Sequence, residues 1–234
     1  MSDRTDVSTE VRAISLVPSI TESLLAWGVT PTACTKYCEQ PQLRHVGGTK
    51  NPDIDAIVAL EPDVVLVDRV ENRKEDADAL TALGINVVDI DVQLLGDVNS
   101  QMAIVARAVD LGAPTIITPP ARAIERTAFI PIWRRPWMTI GAQTYGSTLL
   151  EALGIVNVFA DAATDFPEVD LDQVAARAPD LVLVPSEPYE FTAEHLDELA
   201  VVGAEVIEID GQDLFWWGAR TPKAIERLGL TLGS

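Results

Sequence analysis

Four of the five tryptophans in this 234-residue chain, Trp133, Trp137, Trp216 and Trp217, stand in two short arginine-bearing loops. The first reads Trp133-Arg-Arg-Pro-Trp137, with Arg134 and Arg135 inside it. The second reads Gly211-Gln-Asp-Leu-Phe-Trp-Trp-Gly-Ala-Arg220, with Phe215 and Arg220 flanking the tryptophan pair. Indole faces stack on flat groups and guanidiniums give bidentate hydrogen bonds, so the combination suits a flat or anionic ligand. Two further loops carry the same chemistry. Asp68-Arg-Val-Glu-Asn-Arg73 contributes Arg69, Asn72 and Arg73, and Pro185-Ser-Glu-Pro-Tyr-Glu-Phe191 contributes Glu187 and Tyr189. Lys50 and Tyr145 complete these binding candidates. A packed seam, with the arginines paired to Glu71, Glu187 or Glu190, would use the same residues, and both uses stay open.

Catalytic signatures are thin, and a non-enzymatic chain is expected. The chain has two histidines. His195 falls on an acidic amphipathic helix over Thr192–Ala200 and reads as a surface residue. His45 precedes Val46-Gly-Gly48, where solvent exposure or a ligand contact would both fit. No G-x-S-x-G, H-E-x-x-H, G-x-x-x-x-G-K-[ST] or G-x-G-x-x-G occurs. Cys34 and Cys38 have no second pair nearby, which makes a poor zinc signature and reads as free thiols. No resident metal or cofactor is expected. A net charge of −19 excludes a phosphate-tracking nucleic-acid surface. No apolar run reaches the roughly 18 residues of a membrane span. Residues 1–10 are polar and acidic, without an apolar leader core, so a cytoplasmic location is expected. A periplasmic or extracellular one would need a leader already removed. A monomer is expected.

An internal repeat supplies the elements that position these loops. Ile54-Asp-Ala-Ile-Val-Ala-Leu-Glu-Pro-Asp-Val-Val-Leu-Val67 recurs as Leu171-Asp-Gln-Val-Ala-Ala-Arg-Ala-Pro-Asp-Leu-Val-Leu-Val184. Gly84-Ile-Asn-Val-Val-Asp-Ile-Asp91 recurs as Gly203-Ala-Glu-Val-Ile-Glu-Ile-Asp210. Each half reads as strands alternating with helices: Ala13–Val17, Val64–Val67 and Val87–Ile90, then Phe129–Trp133, Leu181–Val184 and Val206–Ile209. That pattern predicts an α/β fold of two similar lobes, each a parallel sheet flanked by helices. Val98, Met102, Val105 and Val109 at helical spacing predict a connecting helix over about Asp97–Leu111, with a further short helix ending at Arg126. The expected divisions are a disordered tail at 1–11, a lobe at 12–96, a bridging helix and linker at 97–127, and a lobe at 128–234. Ligands of parallel sheets bind beyond the carboxyl ends of the strands, where the loops above fall. After the first strand, Pro18-Ser-Ile-Thr-Glu22 reads as a helix start with Ser19 as N-cap.

Ile14-Ser-Leu-Val-Pro-Ser-Ile-Thr-Glu22, Leu60-Glu-Pro-Asp-Val-Val-Leu66 and Tyr145-Gly-Ser-Thr-Leu-Leu-Glu-Ala-Leu-Gly154, in that order, resemble the helical-backbone metal-receptor family. These are the class III periplasmic binding proteins, and the resemblance runs over roughly residues 12 to 222. It implies two lobes joined by one helix, holding a cobalamin-like, haem or iron-chelate ligand between them for an ABC permease. It also implies that Tyr37 touches a corrinoid and that Phe166 takes the place of a cleft tryptophan. Asp68 and Thr49 stand where aromatic contacts would be expected. Permease docking would fall to Asp55 and Asp172, aspartates where the family has glutamates. Two other readings remain: a cytoplasmic sensor or carrier of an anionic metabolite using the arginines, and a chelatase-like enzyme on the same scaffold.

Overall fold

The computed structural model describes residues 11–112, 114–116, 122–123 and 125–233. The expected tail lies almost wholly outside them, as does much of the segment expected to form a short helix before Arg126. The chain divides into two units. One takes the described residues of Met1–Asp91 and Ser100–Pro114, the other those of Val92–Asn99 and Thr115–Ser234.

The first unit holds strands β1 (Ala13–Ser15), β2 (Ala33–Cys34), β3 (Arg44–His45), β4 (Val64–Asp68) and β5 (Val87–Ile90) in the order β3-β2-β1-β4-β5. Every pairing is parallel, with Ile14 opposite both Ala33 and Val65. All five residues of β4 are buried, the continuous apolar run expected of a strand covered on both faces. The helices are α1 (Pro18–Ala26), α2 (Ile54–Val58) and α3 (Lys74–Ala82). Ser19 is not the cap of α1. Pro18 takes the first turn, where its missing N–H costs no hydrogen bond, so Val17 becomes the N-cap and Ser19 is buried inside the helix.

Helix α4 (Val98–Ala108) begins in the second unit and continues in the first. Val98, Met102 and Val105 on its apolar stripe are fully buried, and Val109 just past its end is 7% exposed.

In the second unit, β6 (Arg126–Phe129) pairs in parallel with β9 (Ile155–Asn157) and β11 (Leu181–Pro185). Strand β12 (Glu205–Ile209) extends this sheet beside β11. The expected strand Phe129–Trp133 is split. Phe129 ends β6, and Pro131–Trp133 becomes β7, pairing antiparallel with β8 (Trp137–Thr139). Pro131 has no N–H to continue the parallel ladder, so the chain changes sheets there. Strand β10 (Glu168–Val169) completes this second, three-stranded sheet, which the repeat gave no reason to expect. The helices are α5 (Tyr145–Ala152), α6 (Leu171–Ala176), α7 (Ala193–Leu199), α8 (Gly211–Phe215) and α9 (Thr221–Leu232).

The repeat is visible at atomic level. Asp53 caps α2 by accepting from the Ala56 N–H at 3.0 Å, and Asp170 caps α6 by accepting from the Gln173 N–H at 2.7 Å. In the first unit the loops at the carboxyl ends of the strands are tied together by Asn72. Its Oδ1 accepts from the Asp68 N–H (2.8 Å), and its Nδ2 donates to Leu16 O (3.2 Å) and Thr49 O (2.9 Å). Asn72 is 7% exposed, so its removal strands two buried backbone groups and one part-buried one. Asn72→Ala is expected to cost about 3 kcal/mol, read as a lower urea midpoint. A loss below about 0.5 kcal/mol, the ordinary range for a surface change, would show that water replaces the amide.

Candidate functional site

The surface most suited to a ligand is built in the second unit, on the loops that follow β7 and β11. Strand β7 ends at Trp133, which is 46% exposed. Its ring meets Tyr189 edge-on at 5.1 Å, and Tyr189 lies 4.9 Å from Phe191. Phe191 stacks flat on Trp137, with centroids 5.9 Å apart and planes 6° from parallel. Tyr189 and Phe191 stand two residues apart in this loop, and both rings join the ladder. Phe191 is the residue that the sequence reading left out, and this i, i+2 spacing is the signal that could have found it.

Trp137 is not a surface aromatic. It is 7% exposed and packs in a core with Phe129, Phe159, Val182 and Val184. Its far side carries the Arg134 guanidinium, 4.9 Å from the ring and bonded through Nε to Glu198 Oε2 at 2.8 Å. Trp137 is thus the floor of the aromatic ladder, and Trp133 with Tyr189 forms its exposed edge. His195, expected on the surface, is half-buried against this ladder, 5.6 Å from Tyr189 and 6.0 Å from Phe191. Its Nδ1 accepts from the Thr192 N–H at 3.0 Å, which caps α7.

A second cluster adjoins β12. The Trp216 indole N–H donates to Glu187 Oε1 at 2.6 Å, and the Arg220 guanidinium lies 5.2 Å from the Trp216 ring. Arg220 donates to Asp213 Oδ1 (3.0 Å) and Gln212 Oε1 (2.9 Å), while Arg227 Nε reaches Asp213 Oδ2 at 2.6 Å. Asp213 is 1% exposed, a buried carboxylate between two guanidiniums. Gly211 lets the Glu187 loop approach: a Cβ there would stand 2.6 Å from Glu187 N and 2.8 Å from its carbonyl oxygen. Trp217 and Tyr145 are core residues, 4% and 6% exposed. The Tyr145 hydroxyl shares a hydrogen bond with Thr221 Oγ1 at 3.0 Å, and burial pushes its pKa well above the ordinary phenol range. Phe215 is half-buried against Gly146. Phe166 is exposed on the loop before β10.

In the first unit, Tyr37 is 52% exposed, with Lys36 Nζ 5.0 Å from its ring and Gly48 beneath it. His45 is exposed and bonds Gln40 O through Nε2 at 3.0 Å. Lys50 Nζ donates to Val70 O at 2.6 Å. Asp68 is buried and closes a turn by accepting from the Val70 and Glu71 N–H groups. Arg69 bonds Asp89 and Asp91, each at 3.0 Å, and Arg73 bonds Asp76. Four of the five arginines singled out in the sequence, Arg69, Arg73, Arg134 and Arg220, therefore already hold carboxylates. Arg135 is exposed at the turn between β7 and β8, with a left-handed φ of 73°. Asp55 and Asp172 are exposed at equivalent positions, each in the first turn of its helix and two residues after the capping aspartate. Among the described residues no cluster of three or more His, Cys, Asp or Glu could hold a metal ion. No helix among them is long and apolar enough to cross a membrane.

Comparison with known proteins gives a consistent pattern. Residues 14–113 match a family described as periplasmic binding protein. A vitamin B12-binding protein of Salmonella paratyphi A is 28% identical over 190 residues, covering 74% of this chain and 71% of its own length. One from Yersinia pestis is 29% identical over 192 residues, covering 74% and 69%. Among solved structures, the periplasmic vitamin B12 binding protein BtuF of Vibrio cholerae superposes with a TM-score of 0.72 at 21% identity, covering 96% and 97% of the two chains. The periplasmic heme-binding protein RhuT of Roseiflexus does so with a TM-score of 0.76 at 21% identity, covering 95% and 97%. The two-lobed α/β architecture expected from the repeat is that of these proteins. The expected cytoplasmic location is corrected: the matched family and these solved structures are of periplasmic binding proteins, which points to the periplasm. A polar stretch at the start of the sequence carried that expectation.

Proposed function

We propose that this chain, which is similar to periplasmic binding proteins, binds a corrinoid, haem or another iron chelate without altering it and serves an ABC importer. The observation that carries this reading is the exposed Trp133–Tyr189 edge, supported from behind by Phe191 and Trp137. A rigid aromatic surface binds a flat macrocycle with little ordering cost, since its rings are already held. The metal is part of the cargo, and the chain need supply no ligand set for it. Binding of an anionic metabolite by the arginines is not favoured. Arg69, Arg73, Arg134 and Arg220 would each have to give up a carboxylate to reach a new anion. The vitamin B12-binding and heme-binding relatives favour binding over catalysis.

The test is equilibrium dialysis of the chain against cobalamin, cobinamide, haem and a ferric siderophore. Saturable one-to-one retention of one of them is expected. If all four are lost at about 100 μM, an affinity weaker than about −5.5 kcal/mol, the reading fails.

Docking on the permease falls, in this reading, to Asp55 and Asp172, offered in the same local frame by two equivalent helix starts. Each sits in the first turn, clear of the capping contact, so its carboxylate is available to a basic partner. Asp55→Lys with Asp172→Lys is expected to leave ligand retention unchanged and to abolish stimulation of permease ATPase activity. Full stimulation by the double variant would place docking elsewhere.

A further inference from the structure

The three-stranded antiparallel sheet of the second unit has a buried face and an open one. Strand β8 alternates between them: Trp137 and Thr139 are buried, and Met138 between them is half-buried. Pro131 of β7 lies opposite Thr139, but a register shift then brings Trp133 opposite Met138 rather than Trp137. A slip of one residue moves a side chain to the other face, and Trp133 is accordingly exposed. On the other side of β8, Met138 stands opposite Glu168 of β10. Residues directly opposite in an antiparallel pair share a face. Trp133, Met138 and Glu168 therefore form one row across three strands, with Trp133 and Glu168 exposed at its ends. Strands about 4.8 Å apart make this row about 10 Å wide, comparable with a tetrapyrrole ring. The β8–β10 ladder continues past the strand ends, with Thr139 N–H donating to Pro167 O at 3.1 Å and Gly141 N–H to Asp165 O at 2.7 Å. Gly141 permits that approach, since a Cβ there would stand 2.6 Å from Thr164 O. Phe166, 44% exposed, is thus held through both its neighbours beside the row.

We propose that this open face is the cargo platform, and that Glu168 makes it selective for a macrocycle edged with amide donors over one edged with carboxylates. The inference rests on the chelate-binding reading above and names the class of chelate. Trp133 belongs both to the row and to the aromatic edge with Tyr189, so the two surfaces are continuous. Met138 supplies the middle contact, where a flexible, polarisable thioether adapts to a puckered ring. Glu168 is the polar end of the row. Among the described residues it holds no basic partner, and Arg135 on the β7–β8 turn forms no ion pair with it. An ionised carboxylate accepts hydrogen bonds and donates none. A corrinoid, whose rim bears carboxamides, brings N–H donors to Glu168. Haem brings carboxylates, which meet a like charge there and find no donor.

The test is parallel titration of the full chain with cobalamin, cobinamide, haem and a ferric siderophore, comparing the wild type with Glu168→Gln. The wild type is expected to hold a corrinoid more tightly than haem. Glu168→Gln is expected to narrow that preference about fivefold, the difference between a charge-assisted and a neutral hydrogen bond. Glu168 is exposed, so this change leaves the core untouched. Met138→Asp sets a charge in the middle of the row and is expected to weaken corrinoid binding by about tenfold or more. A wild type that prefers haem or the siderophore, or a preference unchanged in Glu168→Gln, would overturn the selectivity while the chelate-binding reading stands. Retention of none of the four would fail that reading, and this inference with it. A dimer in sedimentation that Met138→Asp dissolves, with corrinoid affinity unchanged, would assign the face to a second copy of the chain and overturn the platform.

Discussion

Trp133→Ala is expected to weaken retention of the bound chelate by about 30-fold, near 2 kcal/mol for the loss of an aromatic contact at the centre of a binding surface. The folded state should be little affected, because Trp133 is 46% exposed and meets Tyr189 edge-on. Affinity and stability thus separate at this position. They do not at Trp137, where the indole is buried between Phe191 and Arg134 and its loss opens a cavity. Titration of Trp133→Ala with the corrinoid or haem retained by the wild type, alongside a thermal melt, reads both quantities. An unchanged affinity would remove the Trp133–Tyr189 edge from the site.

The second large effect lies at Asp213. Replacing it by alanine removes the carboxylate that the Arg220 guanidinium, 13% exposed, holds at 3.0 Å, while Arg227, 49% exposed, can turn to water. Removing one partner of a buried ion pair costs about 3–5 kcal/mol, and the lower figure is expected because Arg227 relaxes. The loss should extend to binding, since Arg220 packs against the Trp216 ring. Equilibrium urea unfolding followed by tryptophan fluorescence measures the first effect, and ligand dialysis the second. A variant as stable as the wild type would mean that both arginines find other acceptors.

Much of this architecture is legible in the residues, and the exceptions have identifiable causes. The two halves of the repeat carry Pro-Asp turns before apolar runs, and both runs become buried strands, β4 and β11. The apolar positions of α4 at helical spacing are buried. The antiparallel sheet of β7, β8 and β10 has strands of two or three residues, too short for any alternation to register. Ser19 misleads because its capping-box spacing competes with a proline that occupies the first turn. At the candidate site, residue type announced the chemistry but not the exposure. Trp133 and Trp137 are four positions apart in one loop, yet one is open and the other is core. Only the packing of Phe191 and Arg134 around Trp137 decides that. The arginines were visible as charges, whereas their neutralisation depends on which carboxylates the fold brings to them: Asp89 and Asp91 for Arg69, Asp76 for Arg73, Glu198 for Arg134 and Asp213 for Arg220.

That neutralisation has a kinetic side. A chain with a net charge of −19 whose Arg134 and Arg220 already hold carboxylates offers little positive funnel to an approaching molecule. Haem, with its carboxylates, would diffuse in against the overall field. A neutral or cationic macrocycle would meet no such barrier. At an ionic strength of about 0.15 M the field fades over roughly 8 Å, so the discrimination acts in the last steps of encounter and weakens as salt rises. Capture speed therefore favours uncharged and positively charged cargo before any contact with the aromatic edge is made.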